Sequence, residues 1–240
     1  MRCDGSASGD VVSYVVTRNI NYTNICSFKC QFCAFSKGKM SENLRGRPYN
    51  LSLDEIAGRA REAWERGATE VCMQGGIHPS FTGDTYVEIC RAVRAAVPGM
   101  HVHAFSPLEV HQGAATLGLP VGEFLSRLKH AGLGTLPGTA AEVLDDEVRA
   151  VLCPDKIGTA RWLEVMRAAH RIGLQDDRHD HVRACRRLRS LGASSAAAAH
   201  AASRDRRIYR VRAAAVCPHG SADLSEGHAR AAARPSARRC

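Results

Sequence analysis

The chain has 240 residues, a formal charge of +9 and 24% charged side chains, enough for one domain or at most two. No apolar stretch approaches the eighteen or so residues that a membrane helix needs, and the opening Met1 to Ser6 is too polar for a secretory signal, so a cytoplasmic protein with no membrane role is expected. Ten cysteines are too sparse for a disulfide-stapled miniature, and clustered ones point to metal instead.

The charge is not spread evenly. Residues 175–240 hold 14 Arg, no Lys and 6 acids, a local balance of +8, which leaves residues 1–174 close to neutral. All six Phe and all five Lys precede residue 175. The tail has 17 Ala but only seven Leu, Ile or Val in 66 residues, too few to build a core of its own. With one Tyr and no Phe or Trp it also lacks the stacking platforms of a nucleic-acid binder, and no nucleic-acid partner is expected. Three regions follow: a flexible N-terminus over 1–10, a folded body over 11–174, and an Ala/Arg-rich, disordered or irregular tail over 175–240.

In chain order, the body opens with a β-branched run, Val11 to Val16, read as a first strand. Leu51 onward starts a helix running to about Arg66, with Ser52 as N-cap, Glu55 three residues on and Gly67 as the stop. A second strand follows at Thr69–Gln74. The next helix spans about Tyr86–Val97, with Ile89, Val93 and Val97 on one face and Pro98-Gly99 at its end. Strand three is His101–Phe105, helix three about Val121–Ala131 before Gly132, and strand four Gly134–Leu136. A short acidic helix at Glu142–Leu152 and a helix at Ala160–Ile172 complete the body. Strands alternating with amphipathic helices make this an α/β fold with a parallel sheet, a partial (βα) TIM-like barrel truncated after about four units. In such a barrel the chemistry gathers at the C-terminal ends of the strands.

After strand one comes Cys26-Ser-Phe-Lys-Cys30-Gln-Phe-Cys33, a C-x3-C-x2-C group that presents three thiolates from one short loop. Iron-sulfur cubanes are usually held by four thiolates, so three leave one iron open to an outside ligand. A structural zinc site wants four closed ligands, and no fourth Cys or His lies in this loop. A noncatalytic iron-sulfur or zinc-binding remnant is the competing reading.

On these residues, with aromatic Phe32 and Phe35 in and just after the loop and Gln74-Gly75-Gly76-Ile-His78-Pro after strand two, the chain resembles the radical S-adenosylmethionine superfamily. The resemblance implies one 4Fe-4S cluster on Cys26, Cys30 and Cys33 as metal ligands. It implies S-adenosylmethionine chelating the open iron and then splitting to a 5'-deoxyadenosyl radical. Phe32, Phe35, Gln74, Gly75 and Gly76 are the cofactor-binding candidates, the glycines through backbone approach.

Longer stretches, Asn19–Cys26, Val71–Pro79, Met100–Glu109 and Leu136–Arg149, resemble the subgroup that contains the tyrosine-using component of FO synthase, the 5-amino-6-(D-ribitylamino)uracil-L-tyrosine 4-hydroxyphenyl transferases. That resemblance implies L-tyrosine and 5-amino-6-(D-ribitylamino)uracil as substrates, transfer of a 4-hydroxybenzyl group and deazaflavin biosynthesis. It also implies an electron donor such as flavodoxin or ferredoxin, and an FO synthase subunit 1 partner. Aminofutalosine synthase and futalosine cyclase belong to the same subgroup and remain open. Glu109 and Glu142 are the catalytic candidates, Glu109 to hydrogen-bond a ribose or an amino group and Glu142 to reach substrate unless it caps the acidic helix. Thr139 is placed beside it as a further substrate contact. His101 and His103 share a strand face; Asp145, Asp146 and Glu147 read as solvated helix surface; Cys72, Cys90 and Cys153 read as small buried hydrophobes.

The resemblance stops near Leu174. Read one nucleotide later in GC-rich codons, Gln175 onward can spell a phrase beginning Arg-Thr-Thr-Ala-Thr-Thr-Met, and Arg207 to about Ser225 can spell another, both like the family's continuation. A single-nucleotide shift near the Gln175 codon is the reading, with loss of activity as its expected consequence.

Overall fold

The computed structural model describes residues 14–28, 30, 33, 47–181 and 208–214. Six strands form one parallel sheet in strict chain order: β1 (Thr17–Asn21), β2 (Glu70–Gln74), β3 (His101–Ala104), β4 (Thr135–Glu142), β5 (Gln175–His181) and β6 (Ile208–Ala214). Helices α1 (Leu53–Glu65), α2 (Gly83–Ala96), α3 (Pro107–Thr116), α4 (Val121–Ala131), α5 (Asp146–Leu152) and α6 (Thr159–Arg171) fill the connections. Sequential order with every neighbouring pair parallel is the wall of a (βα) barrel, left open here between β1 and β6 among the described residues.

The two faces of that wall differ in chemistry. Ile20, Val71, Met73, Val102, Ala104 and Leu136 alternate to one side and join the main core with the apolar stripes of α1, α2, α4 and α6. The other side carries Asn19, Cys72, His103 and Thr135 at one register level, with Asn21 and Gln74 one level nearer the C-terminal ends. Strand alternation puts these polar residues on the concave face, where they stay partly exposed.

Local signals place most helices. Ser52 closes a capping box with Glu55 at the start of α1, and Gly67 takes the left-handed conformation just past its end, where glycine costs least. Gly132 does the same after α4. α2 starts at Gly83, three residues before the reading from apolar periodicity, because Thr82 forms the cap and Gly83 fits against the Gly113 carbonyl and Leu117 where a side chain would collide.

Several expectations change. The first strand is Thr17–Asn21, not Val11–Val16: Tyr14 is 85% exposed, Val11 lies outside the described residues, and pairing with β2 begins at Thr17 opposite Glu70. β-Branched composition marked a propensity, whereas the buried Ile20 and Tyr22 fix the register. α3 had no counterpart in the sequence reading, although Ser106-Pro107-Leu-Glu109 forms a capping box with proline in the first turn. β4 runs on to Glu142, and α5 correspondingly begins at Asp146.

The partial barrel forms through four βα units as expected, and pairing then goes beyond the expected truncation. β5 and β6 extend the sheet in parallel, although Gln175–His181 contains no apolar residue. The unpaired edge of β4 recruits backbone regardless of side chain, so hydrophobic period could not reveal this strand. Most of the tail, and the expected flexible 1–10 segment, fall outside the described residues.

Candidate functional site

The cysteine loop leaves the C-terminal end of β1 and crosses toward the ends of β2 and β4. Cys26, Phe28 and Ile157 pack on Ile77, Leu108 and Ala140. Ser27 donates from both its backbone N–H (2.8 Å) and its hydroxyl (2.7 Å) to the Ile77 carbonyl, and the Ile77 N–H points at Cys26 Sγ at 3.3 Å. Cys26 and Cys30 are partly buried and Cys33 is exposed. Burial pushes the Cys30 thiol up to about 11, with the Lys156 ammonium pulling the other way and Cys33, Cys153 and Glu142 adding to the rise.

Gly75 and Gly76 are pressed into this loop. A Cβ on Gly75 would enter the Tyr22 ring, and one on Gly76 would strike the Ile25 carbonyl and the Cys26 side chain. All three amide N–H groups of the segment are engaged: Gly75 to Glu109 Oε1 at 3.1 Å, Gly76 to the Thr23 carbonyl at 3.0 Å and Ile77 to Cys26. The peptide groups are trans, so each N–H points opposite the C=O of the residue before it. The Gln74 carbonyl accepts from Tyr22 and the Ile77 carbonyl from Ser27, which leaves the Gly75 and Gly76 carbonyls to face a ligand, the complement of an ammonium group.

Glu109 is neither a solvated surface carboxylate nor an open ligand group. It is 1% exposed. Oε1 accepts from the Tyr22 hydroxyl and from the Gly75 N–H; Oε2 accepts from the Ser106 N–H (2.7 Å) and Ser106 hydroxyl (2.6 Å). Burial raises its carboxyl above the usual range, and these hydrogen bonds pull the other way. Close by, the Tyr86 hydroxyl is buried without a hydrogen-bond partner among the described residues. Burial, with Glu109 and Cys26 nearby, holds that phenol far above its ordinary range.

The end of β4 forms the facing wall. Ala140 and Glu142 both have positive φ, and the irregular backbone is held by the buried Arg149 guanidinium, which donates to the carbonyls of Ala140, Ala141, Val143 and Ile157. Glu142 is buried and pairs with Lys156 Nζ at 2.5 Å. Burial alone would lower the Lys156 ammonium, but Glu142 and Cys30 outweigh it and hold it above its ordinary range. Glu142 does not cap α5: Asp145 does, accepting from the Glu147 and Val148 N–H groups. Asp146, read as a solvated surface group, is mostly exposed and also accepts from the Thr159 N–H and hydroxyl, which ties α5 to α6.

Among the other candidates, Gln74 lies on the concave face with its amide nitrogen 3.8 Å from Cys72 Sγ. His101 and His103 share the Thr135 hydroxyl at 2.8 and 2.7 Å. The Thr139 carbonyl accepts from the Trp162 indole at 3.1 Å. Cys90 and Cys153 are buried. Phe32 and Phe35 lie outside the described residues. Sequence reasoning missed Tyr22, Tyr86, Arg149 and Lys156; a buried lysine or arginine follows a break in strand geometry, and only the capping box around Glu109 left a readable trace.

These residues fit a three-thiolate cluster with an attached amino-acid group. The donor set is three cysteines of one loop, an amide N–H supports one sulfur, the Gly75–Gly76 cradle leaves no room for a Cβ, and an orphaned phenol sits beside Cys26. Among the described residues no three Cys, His, Asp or Glu converge on a single ion. No helix among them is long and apolar enough to cross a membrane.

Comparison with known proteins agrees. FO synthase of Streptomyces coelicolor is 54% identical over 170 residues, 71% of this chain and 19% of that protein. The Archaeoglobus fulgidus 5-amino-6-(D-ribitylamino)uracil–L-tyrosine 4-hydroxyphenyl transferase is 50% identical over 166 residues, 69% of this chain and 46% of that protein. The chain thus spans less than half the length of these curated relatives. Methylornithine synthase (PylB) superposes with a TM-score of 0.68 at 16% identity, over 89% of this chain and 56% of that one. HydG from Carboxydothermus hydrogenoformans gives 0.64 at 21% identity, over 84% and 44%. These two show a shared fold. The Radical SAM superfamily pattern matches residues 20–191, and with the three-cysteine loop seated at the strand ends the chain belongs to the radical SAM superfamily.

Proposed function

We propose that this chain is a tyrosine-using 4-hydroxyphenyl transferase of the FO synthase type, which cleaves L-tyrosine and adds its 4-hydroxybenzyl group to 5-amino-6-(D-ribitylamino)uracil. The observation that carries the reading is the stitching of the cysteine loop to the Gly75–Ile77 segment at the mouth of a barrel whose relatives bear that name. Cys26, Cys30 and Cys33 would hold one 4Fe-4S cluster, and Gly75 and Gly76 the amino group of S-adenosylmethionine. When bound, the pair supplies one-electron chemistry that starts hydrogen abstraction. The protein's own part is placement: Ile77 N–H steadies Cys26, Arg149 fixes the β4 end, and Asn21, Gln74, Cys72 and His103 give the concave face the polar character that a ribityl and uracil group needs. Water exclusion at the mouth would come from later barrel elements.

The working environment is the cytoplasm, with a flavodoxin- or ferredoxin-type donor as reductant and the first FO synthase component as the source of the second half-reaction. The tail after Gln175 departs from the family's phrases, and the shifted reading frame accounts for it; this polypeptide is expected to turn over poorly. The test is anaerobic reconstitution with tyrosine and the ribitylaminouracil, followed by mass analysis of the products. Deoxyadenosine release with a trace of hydroxybenzyl adduct, restored to full turnover in the frame-corrected chain, supports the reading. A frame-corrected chain that makes no adduct, or that acts on a futalosine-pathway substrate, overturns it.

A further inference from the structure

Glu109 has a second task beyond its helix. As the third residue of α3 it closes the capping box with Ser106 through Oε2. A capping box needs no more than that one oxygen. Oε1 faces away from the helix start, taking the Gly75 N–H at the end of β2 and the Tyr22 hydroxyl just past β1. One buried carboxylate therefore joins three successive βα units at the C-terminal mouth of the barrel. All four of its partners are donors, so a charged carboxylate, with two acceptor oxygens and no proton of its own, is the group that satisfies them together.

We infer that Glu109 is a positioning residue which, by gripping the Gly75 N–H, anchors the Gln74–Gly75 peptide from which the next two peptide planes hang, so that the Gly75 and Gly76 carbonyls are placed to face the ammonium of S-adenosylmethionine. The mechanics are short. The Gln74–Gly75 peptide is held at both ends, its N–H by Glu109 and the Gln74 carbonyl by the Tyr22 N–H at 3.2 Å. The Gly75–Gly76 peptide hangs from it, with its N–H on the Thr23 carbonyl. Glycine's wide φ/ψ range opens more rotations to this stretch than to other residues, and the close fit of Gly75 against Tyr22 and of Gly76 against Ile25 and Cys26 narrows them. The hydrogen bond that the Gly75 N–H donates to the buried Glu109 carboxylate narrows them further. The inference rests on the proposed cofactor reading of Gly75–Gly76 only for the identity of the ligand; the grip itself is a property of the apo chain.

The test compares Glu109→Gln and Glu109→Ala with Ser106→Ala in the full 240-residue chain. Ser106→Ala removes the hydroxyl bonds of the capping box, keeps the backbone N–H bond to Oε2 and leaves the Gly75 arm. Two readouts are needed: hydrogen exchange at the amides of Gly75, Gly76 and Ile77 in the apo protein, and S-adenosylmethionine affinity of the reconstituted protein, followed by the change in the EPR signal of the reduced cluster. Iron content and thermal melting control for folding. The expected result is a larger melting loss for Glu109→Ala than for Ser106→Ala, with faster exchange at Gly75–Ile77 and an affinity loss of about tenfold or more confined to the Glu109 variants. Glu109→Gln, which keeps the shape, falls between. Equal exchange and equal affinity in Ser106→Ala and Glu109→Ala would make Glu109 a cap alone and overturn the inference. Wild-type protein whose cluster signal ignores S-adenosylmethionine would sink the cofactor reading instead, while the exchange pattern still decides the grip.

Discussion

Gly76→Ala is the sharpest test of how the cysteine loop is built. A methyl group at Gly76 would press on the Ile25 carbonyl carbon and on Cys26 Cβ, each 2.8 Å from the Cβ position, and closer still on the Ile25 oxygen. Two of these atoms are backbone, with no flexible end to swing aside, and φ at Gly76 is not in the left-handed region, so the effect is steric alone. Overpacking of this kind costs about 1–3 kcal/mol. Relief requires the Ile25–Cys26 peptide to move, which pulls Cys26 Sγ from the Ile77 N–H and displaces one of three cluster ligands. Urea melts of the apo protein should show the destabilisation, and anaerobic reconstitution should show reduced iron and sulfide per chain. Gly58→Ala is the control: Gly58 lies inside α1 with nothing within 4 Å of the new Cβ, and replacing a helix-interior glycine should stabilise by about 0.5–1 kcal/mol. Gly76→Ala protein with wild-type melting and a full cluster would refute the reasoning, whatever Gly58→Ala does.

Further outcomes follow from the same geometry. Arg149→Met should lower stability by about 1–3 kcal/mol for each buried carbonyl it leaves unsatisfied, because the guanidinium now serves several of them, and apo-protein melts measure it directly. Lys156→Met takes the ammonium away from the buried Glu142 carboxylate and should lower stability by about 3–5 kcal/mol, read from urea melts of the apo protein. The Thr159 N–H and hydroxyl hold Asp146 below the ordinary aspartate range. That contribution is present above the unfolded-state pKa and lost as pH falls through the lowered folded value. Asp146→Asn should therefore flatten the acid limb of the stability curve by no more than about 1 kcal/mol, the side chain being mostly exposed. Sequencing the DNA around the Gln175 codon should show that the next frame encodes the Arg-Thr-Thr-Ala-Thr-Thr-Met phrase; a frame that cannot encode it retires the shift.

What the sequence revealed depends on how local each signal is. The α1 start was readable because Ser52 and Glu55 satisfy each other within one turn, and the end of α4 because Gly132 needs a positive φ. The same logic at Ser106 and Glu109 marks α3, where weak amphipathic periodicity hid a helix that a capping signal announces. The cysteine loop and the double glycine were legible as spacing, but the reason they belong together, a glycine packed against a cysteine fifty residues earlier, exists only in three dimensions. Glu142 was singled out without its partner, since Lys156 reaches it across the turn after α5. β5 was invisible because Gln175–His181 has no apolar residue whose period could mark a strand, although its backbone pairs with β4.

If Cys26, Cys30 and Cys33 hold one cubane, one of its irons is left open to S-adenosylmethionine. Mössbauer spectra of the anaerobically reconstituted, iron-57-labelled chain, recorded before and after adding S-adenosylmethionine, distinguish that iron from the other three. One cubane per chain is expected, with a single iron site changing its parameters on addition, and loss of the cluster in each single Cys→Ala variant. A closed four-ligand zinc site, or a cubane whose irons all ignore S-adenosylmethionine, would contradict this cluster assignment.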